Sequence, residues 1–169
     1  MDITQLILDE HHVQRRMFAQ LEQIDSADAA SLIAVWNRLC TTLEVHALAE
    51  EELFYPQLLK VGSGVGDESV DDEVLDVIKD HNEIRDAIRA SEGLTAGGDE
   101  WWDAVRKVNT ANSDHMAEEE REDLTDFRRN APLQLRHDIA VRFTAFEATH
   151  VTGVDVRDRD PKRYIAEHR

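Results

Sequence analysis

Apolar residues recur at steps of three and four along most of the chain, a spacing that is typical of amphipathic helices. It predicts helices over residues 2–24, 28–59, 69–91, 99–129 and 132–150, separated by short segments that contain glycine, proline or helix-capping residues. No segment alternates apolar and polar residues as a half-buried strand does. We therefore predict an all-α protein in which four long helices form an up-down-up-down bundle and a shorter C-terminal helix packs alongside.

The apolar stripe changes character in the middle of all four long helices. Its polar members are His11 on the first helix, His46 and Glu50 on the second, His81 on the third, and His115 and Glu119 on the fourth. Residues four apart share one helix face, so both His-Glu pairs point where their apolar neighbours point. A bare carboxylate in an apolar core costs several kcal/mol unless something compensates its charge. Metal coordination is the usual compensation.

The four histidines also fall at comparable depths along their helices. His11 lies about 15 residues before the turn at Ser26, and His46 about 17 residues after the helix restarts. At roughly 1.5 Å per residue, both lie some 22–26 Å from the same end. His81 and His115 have similar spacings from the glycine-rich loop near Gly93. A bundle would thus place four histidines and two carboxylates in one layer, which predicts a site for two metal ions.

Composition narrows the class of protein further. The chain has 169 residues, 36 acidic and 19 basic, and a net charge of −17, which disfavours nucleic acid or an anionic membrane as partner. We assign residues 1–150 to one domain and residues 151–169 to a charged, loosely held tail. No apolar run is long enough to span a membrane, and residues 1–10 do not resemble a signal peptide, so a cytoplasmic location is expected. The single cysteine excludes an intramolecular disulfide.

The residues around the stripe histidines resemble the hemerythrin-like (HHE cation-binding) family. The motifs that carry the resemblance are Leu8-Asp9-Glu10-His11, the run from His46 to Pro56, Asp80-His81-Asn82-Glu83-Ile84, and the run from His115 to Glu120. The resemblance covers about residues 1–125. It implies a non-haem di-iron centre in a four-helix bundle, with two iron ions joined by two carboxylates and by an oxo or hydroxo group. Spacing alone would also allow manganese or zinc.

The resemblance implies a set of six metal ligands: His11, His46, Glu50, His81, His115 and Glu119. His11 is preferred to His12 because Glu10-His11 matches the acidic-His position of the family and because His11 fits the stripe better. Oxygen-carrying hemerythrins have a further histidine one turn after the helix-three ligand, where this chain has Arg85. One imidazole is therefore missing, and two coordination positions stay open instead of one.

Two residues are candidates for a role at this vacancy. Tyr55 is a possible extra ligand because Pro56 should disturb the helix nearby, although an ideal helix would point Tyr55 away from His46. The alternative is a tyrosine packed at a helix end. Arg85 is either exposed, or holds a bound anion, or steers Glu50 or Glu119. Glu147 and His150 have a ferritin-like spacing, but a single copy favours a solvated face.

Two functions follow from the resemblance and the missing histidine. The first is a redox or detoxifying protein that handles small oxidants (H2O2, O2 or NO-derived species), with catalase- or peroxidase-like activity as one form. The second is a protein that binds, stores or senses O2 or NO without turnover. A generic metal store is disfavoured because the ligand set is rich in imidazole.

Overall fold

The computed structural model describes residues 1–155 and 157–169, and this part of the chain contains helices and no strands. The helices are α1 (Ile3–Leu21), α2 (Ala29–Ala49), a π-helical turn (Glu50–Phe54), α3 (Tyr55–Val61), α4 (Val70–Ala90), α5 (Asp99–Arg121), α6 (Asp123–Asn130), α7 (Leu133–Thr149) and α8 (Pro161–His168). The predicted all-α class is confirmed. No helix of the described residues is long and apolar enough to cross a membrane.

Capping residues fix where the long helices begin. Asp2 and Asp28 accept hydrogen bonds from backbone N–H groups in the first turns of α1 and α2, and Ser69 and Asp72 form a capping box at the start of α4. The turn before α5 needs glycine at Gly97, because its φ is +82° and a Cβ there would lie 2.1 Å from the carbonyl oxygen of Ser26. This close approach joins the two loops at one end of the molecule.

The four long helices form a closed circuit of contacts: α1 packs against α2 and α5, and α4 packs against α5 and α2. Helix α7 packs against α1 and α2, as expected for the additional helix. The up-down-up-down order of the bundle stays a prediction, and so does the division into residues 1–150 and 151–169.

The apolar interior consists of two separate clusters. One includes Phe18 and Leu21 of α1, with Leu32 to Leu43 of α2, Ile84 and Ile88 of α4, and Trp101 to Val108 of α5. The other includes Ile3 and Ile7 of α1 together with residues of the π-helical turn, α3, α4, α6, α7 and α8. Along the chain, each of the four predicted ligand histidines falls between members of the two clusters. The polar layer therefore lies between two apolar cores.

Three local features differ from the sequence prediction. The predicted helix 28–59 contains the π-helical turn, and the predicted helix 99–129 breaks at Glu122, whose φ and ψ are −109° and −73°. The tail was expected to be loosely held, but α8 packs against α4 and α3. Tyr164 of α8 is 2% exposed and donates from its hydroxyl to the backbone oxygen of Glu51.

Candidate metal centre

The structure brings the six predicted ligands together in the buried polar layer. Their side chains come from α1, α2, the π-helical turn, α4 and α5: His11, His46, Glu50, His81, His115 and Glu119. All six are at most 4% exposed, although every one of them can carry charge and apolar residues lie on both sides. Burying such a layer costs free energy unless its charges compensate one another or a bound cation compensates them.

Each glutamate of the layer spans histidines from two different helices. Glu50 has Oε1 at 2.9 Å from Nε2 of His46 and Oε2 at 3.4 Å from Nε2 of His81. Glu119 has Oε2 at 3.2 Å from Nε2 of His11 and at 3.9 Å from Nε2 of His115. A carboxylate placed between two histidines is positioned to bridge two metal ions.

Two overlapping triads of ligand atoms result. His11, His46 and Glu50 each offer one atom within 4.8 Å of the others, and so do Glu50, His81 and His115. Glu50 belongs to both triads. Nε2 of His81 and Nε2 of His115 are 3.2 Å apart, so these two imidazoles already face a common point.

Several inward-facing atoms of the layer make no hydrogen bond of acceptable geometry among the described residues, although the His-Glu pairs above bring them within 3.4 Å of one another. They are Nε2 of His11, Nε2 of His46, both carboxylate oxygens of Glu50, and Oε2 of Glu119. Buried polar atoms without partners are rare in folded proteins because each one costs free energy. Nitrogen and carboxylate oxygen donors of this kind fit a transition-metal cation. The residues of the layer therefore fit the metal that their pattern predicts.

The outward nitrogen of each histidine faces a carboxylate of a different helix. Nδ1 of His11 lies 2.9 Å from Glu120, Nδ1 of His46 lies 2.7 Å from Glu10, Nδ1 of His81 lies 2.9 Å from Glu51, and Nδ1 of His115 lies 3.6 Å from Asp80. A carboxylate at Nδ1 keeps the proton there and turns the Nε2 lone pair towards the metal. Sequence reasoning did not assign these four acids a role.

The four acids close a ring around the centre. Glu10 of α1 bonds the histidine of α2, Glu51 of the π-helical turn bonds that of α4, and Glu120 of α5 bonds that of α1. Asp80 of α4 completes the ring beside the histidine of α5, at 3.6 Å and without a hydrogen bond. Each acid directly follows or precedes a predicted ligand in the sequence. This adjacency was the signal that could have identified them.

Electrostatic coupling favours the charged forms of His46 and Glu50. Burial lowers the pKa of His46, but Glu50 and Glu10 together raise it well above its usual value. Burial raises the pKa of Glu50, but His46 and His81 lower it well below the ordinary range. Without metal, the proton on His46 supplies positive charge beside Glu50, at the place where a bound cation would supply it.

Tyr55 faces the centre, unlike the expectation from an ideal helix. In the π-helical turn the backbone N–H of Tyr55 donates to the carbonyl oxygen of Glu50, five residues earlier, so the two side chains share a face. The Tyr55 hydroxyl is buried and donates to Oε1 of Glu119 at 2.7 Å. Coordination by Tyr55 stays a prediction, whereas its place beside a predicted ligand is a feature of the structure.

Arg85 is 1% exposed, so the expectation of an exposed residue is wrong. Its Nη2 donates to Oε1 of Glu51 at 2.6 Å, and this carboxylate also lies at Nδ1 of His81. Arg85 therefore contacts neither Glu50 nor Glu119 in an ion pair. Arg159 binds the other oxygen of Glu51 at 2.7 Å, so two guanidinium groups hold this one carboxylate.

The remaining histidines lie outside the layer. His12 is exposed, and His150 stacks on Phe146 with ring centroids 4.2 Å apart. Glu147 is half-buried and does not lie on the predicted solvated face. Its carboxylate lies near the carboxylate of Glu10 and the imidazole of His46. Burial and the charge of Glu10 raise the pKa of Glu147 to about 8.

A cavity of about 30 Å³ adjoins the layer between α4 and the junction of α5 with α6. His115 and Glu119 contribute to its wall, and the other described lining residues are acidic except Val77. A cavity of this size holds a water molecule or another molecule of few atoms. Two of the predicted ligands therefore border a space that a small molecule can occupy.

The fold has a counterpart among solved structures, and the sequence matches a family of domains. No curated protein matches the chain. The fold is similar to the crystal structure of a hemerythrin HHE cation binding domain-containing protein from Mycobacterium kansasii, with a TM-score of 0.68, 14% sequence identity and coverage of 99% of both chains. The model of the hemerythrin HHE cation binding domain matches residues 2–125. The chain therefore belongs to the hemerythrin HHE cation-binding family.

Proposed function

We propose that this protein holds a non-haem di-iron centre within an up-down-up-down bundle and uses it to turn over small oxidants, hydrogen peroxide first among them. The ligands would be His11, His46, Glu50, His81, His115 and Glu119, with an oxo or hydroxo group between the ions. The observation that supports this proposal most directly is the set of buried inward atoms without hydrogen-bond partners.

The donor set is compatible with iron, and the resemblance of the motifs selects it. Imidazole nitrogens and carboxylate oxygens suit iron, whereas a site for a soft metal would include thiolates. The single cysteine, Cys40, is not among the residues of the two ligand triads. The HHE family is a cation-binding family, and iron is the cation that the resemblance of the motifs implies.

When bound, the iron pair would supply the cycling of oxidation states that takes two electrons from one peroxide and gives two to another, yielding O2 and water. The chain's own residues determine what reaches the pair. Arg85 donates to Glu51 instead of supplying a fifth imidazole, which leaves room for a substrate. The small cavity beside His115 and Glu119 restricts that substrate to a few atoms.

Tyr55 and the ring of carboxylates prepare the site for proton transfer. Burial and the charges of Glu119 and Glu50 raise the pKa of Tyr55 well above its usual value, so its hydroxyl keeps a proton beside Glu119. Three of the outward carboxylates, Glu10, Glu51 and Glu120, hold the imidazoles of His46, His81 and His11 in one orientation. Preorganised donors of this kind reduce the reorganisation needed during a reaction.

Metal analysis and an optical spectrum of the purified protein test the centre. We expect two iron ions per chain and absorption bands from oxo-to-iron charge transfer. Addition of hydrogen peroxide should release O2, measured with an oxygen electrode. A protein that binds two irons but forms a stable, reversible O2 adduct and releases no O2 from peroxide would instead be a carrier. Purification without metal, even after incubation with ferrous iron, would reject the proposal.

A further inference from the structure

The cavity beside the metal layer contains a buried carboxylate without a partner. Glu73 of α4 lines the cavity, is 4% exposed, and has no hydrogen-bond partner at either carboxylate oxygen among the described residues. Burial raises its pKa to about 7; the nearby backbone N–H of Val65 opposes this rise, and the charges of neighbouring acids such as Asp126 add to it. An unpartnered buried carboxylate is unfavourable unless it takes up a proton or binds a cation.

Asp123 lies in the same cavity at the start of α6. It is 3% exposed, and the charge of Glu73 is one of those that raise its pKa, so the two carboxylates lie within electrostatic reach of each other. The break at Glu122 separates α5 from α6 directly before Asp123. The helix break therefore places a second buried acid in the cavity.

The cavity runs from the surface to the predicted ligands. Its outer lining includes Glu68, Asp76 and Glu118, which are exposed, and its inner lining includes His115 and Glu119. Arg121 binds Glu122 at the rim, and the described lining residues include no lysine or arginine. A cleft lined by one sign of charge concentrates counter-ions and speeds their association.

We propose that this cavity is the loading site for divalent cations, in which Glu73 and Asp123 bind an incoming ion before it reaches His115 and Glu119. The inference rests on the proposed metal centre but not on its redox chemistry. A volume of about 30 Å³ leaves no room for a full hydration shell, so carboxylate oxygens must replace water as the ion enters.

Cobalt(II) uptake by the full-length protein, stripped of metal with a chelator, tests the loading site. Stopped-flow absorbance gives the rate, and the end point gives the number of ions bound. Glu73→Gln removes the charge and keeps the shape, so we expect uptake slower by about tenfold with an unchanged end point. Glu83→Gln, an exposed glutamate on the same helix outside the cavity, should load at the native rate.

The outcomes separate the loading site from the centre. Native uptake rates in Glu73→Gln would overturn the loading site, and loss of an ion at its end point would place Glu73 in the centre itself. A native protein that takes up no cobalt would overturn the centre. Release of cobalt from loaded protein to excess chelator should be slowed by the same factor, because entry and exit share one path. If Glu73→Gln does not fold by circular dichroism, Asp123→Asn is judged by the same criteria.

Discussion

Nη2 of Arg85 lies 2.6 Å from Oε1 of Glu51, and both side chains are almost completely buried. The same oxygen lies 2.9 Å from Nδ1 of His81. Arg85 is thus connected through Glu51 to His81, one of the predicted ligands. A change at Arg85 should therefore affect stability and the orientation of one imidazole together.

Arg85→Met should destabilise the protein by about 3 kcal/mol, because it leaves a buried carboxylate with one guanidinium partner fewer. Urea unfolding of the two proteins measures this difference. Arg89→Met is the matched control, since Arg89 is exposed on the same helix and its ion pairs should contribute about 1 kcal/mol or less. Equal losses in the two variants would show that the Arg85 pair contributes no more than a surface pair.

Glu51→Gln should weaken binding of the metal at His81 by about 10- to 100-fold, because an amide holds the Nδ1 proton less firmly than a carboxylate. Competition with a chelator of known affinity measures the change. Glu52→Gln removes the same charge one residue away, on an exposed side chain, and should bind both ions as the native protein does. If the two variants bind alike, the ring of carboxylates does not tune the centre.

Glu50→Ala should bind at least one ion fewer than the native protein, since Glu50 belongs to both triads of ligand atoms. Glu119→Ala should behave in the same way. Elemental analysis of the purified variants counts the ions. His12→Ala and His150→Ala should keep the full count because neither imidazole lies in the layer, and two ions in both glutamate variants would reject the ligand set.

Tyr55→Phe should lower the free energy of unfolding by about 1–3 kcal/mol, because Oε1 of Glu119 loses its donor. The variant should keep both ions and the visible spectrum of the native protein. Thermal unfolding and an absorption spectrum give the two results. Loss of a tyrosinate-to-iron band in the variant would show instead that the phenol coordinates iron.

Glu73 should make the metal-free protein less stable as the pH rises. Its pKa is raised in the folded state, to about 7 from 4.5, so the folded state binds the proton more tightly than the unfolded chain does. The free energy of unfolding should therefore decrease as the pH rises from 4.5 to about 7, and it should stay low at higher pH. Glu73→Gln should match the native protein near pH 4 and exceed it above about pH 7, as urea unfolding at several pH values would measure. A pH-independent difference would contradict this assignment.

The sequence predicted the long helices well because their apolar stripes are regular. The predicted ranges 2–24 and 69–91 exceed α1 and α4 by only a few residues at the ends. The π-helical turn was not predicted, because one additional residue in a turn leaves no strong mark on periodicity. Helix α8 was missed although Asp160-Pro161 is a helix-start signal, since charge dominated the interpretation of the tail.

The predicted ligands converge because helical periodicity alone decides which residues share a face. Their supporting residues depend on which helices are neighbours, which periodicity does not determine. Glu51 contacts His81 only because the π-helical turn and α4 are adjacent, and Arg159 reaches Glu51 across more than a hundred residues. Contacts between residues so far apart in the sequence can be identified only from the tertiary structure.

The separation of the two apolar cores by a polar layer bears on how the protein unfolds. Without metal, the layer joins the cores through charged hydrogen bonds that water can replace, so each core is able to melt as its own cooperative unit. Metal ions bound by α1, α2, α4 and α5 together would cross-link the cores and merge the two transitions into one. Calorimetry should then show two unfolding transitions for the metal-free protein and one for the metal-bound protein. The bound cation would thus make the molecule unfold as a single unit.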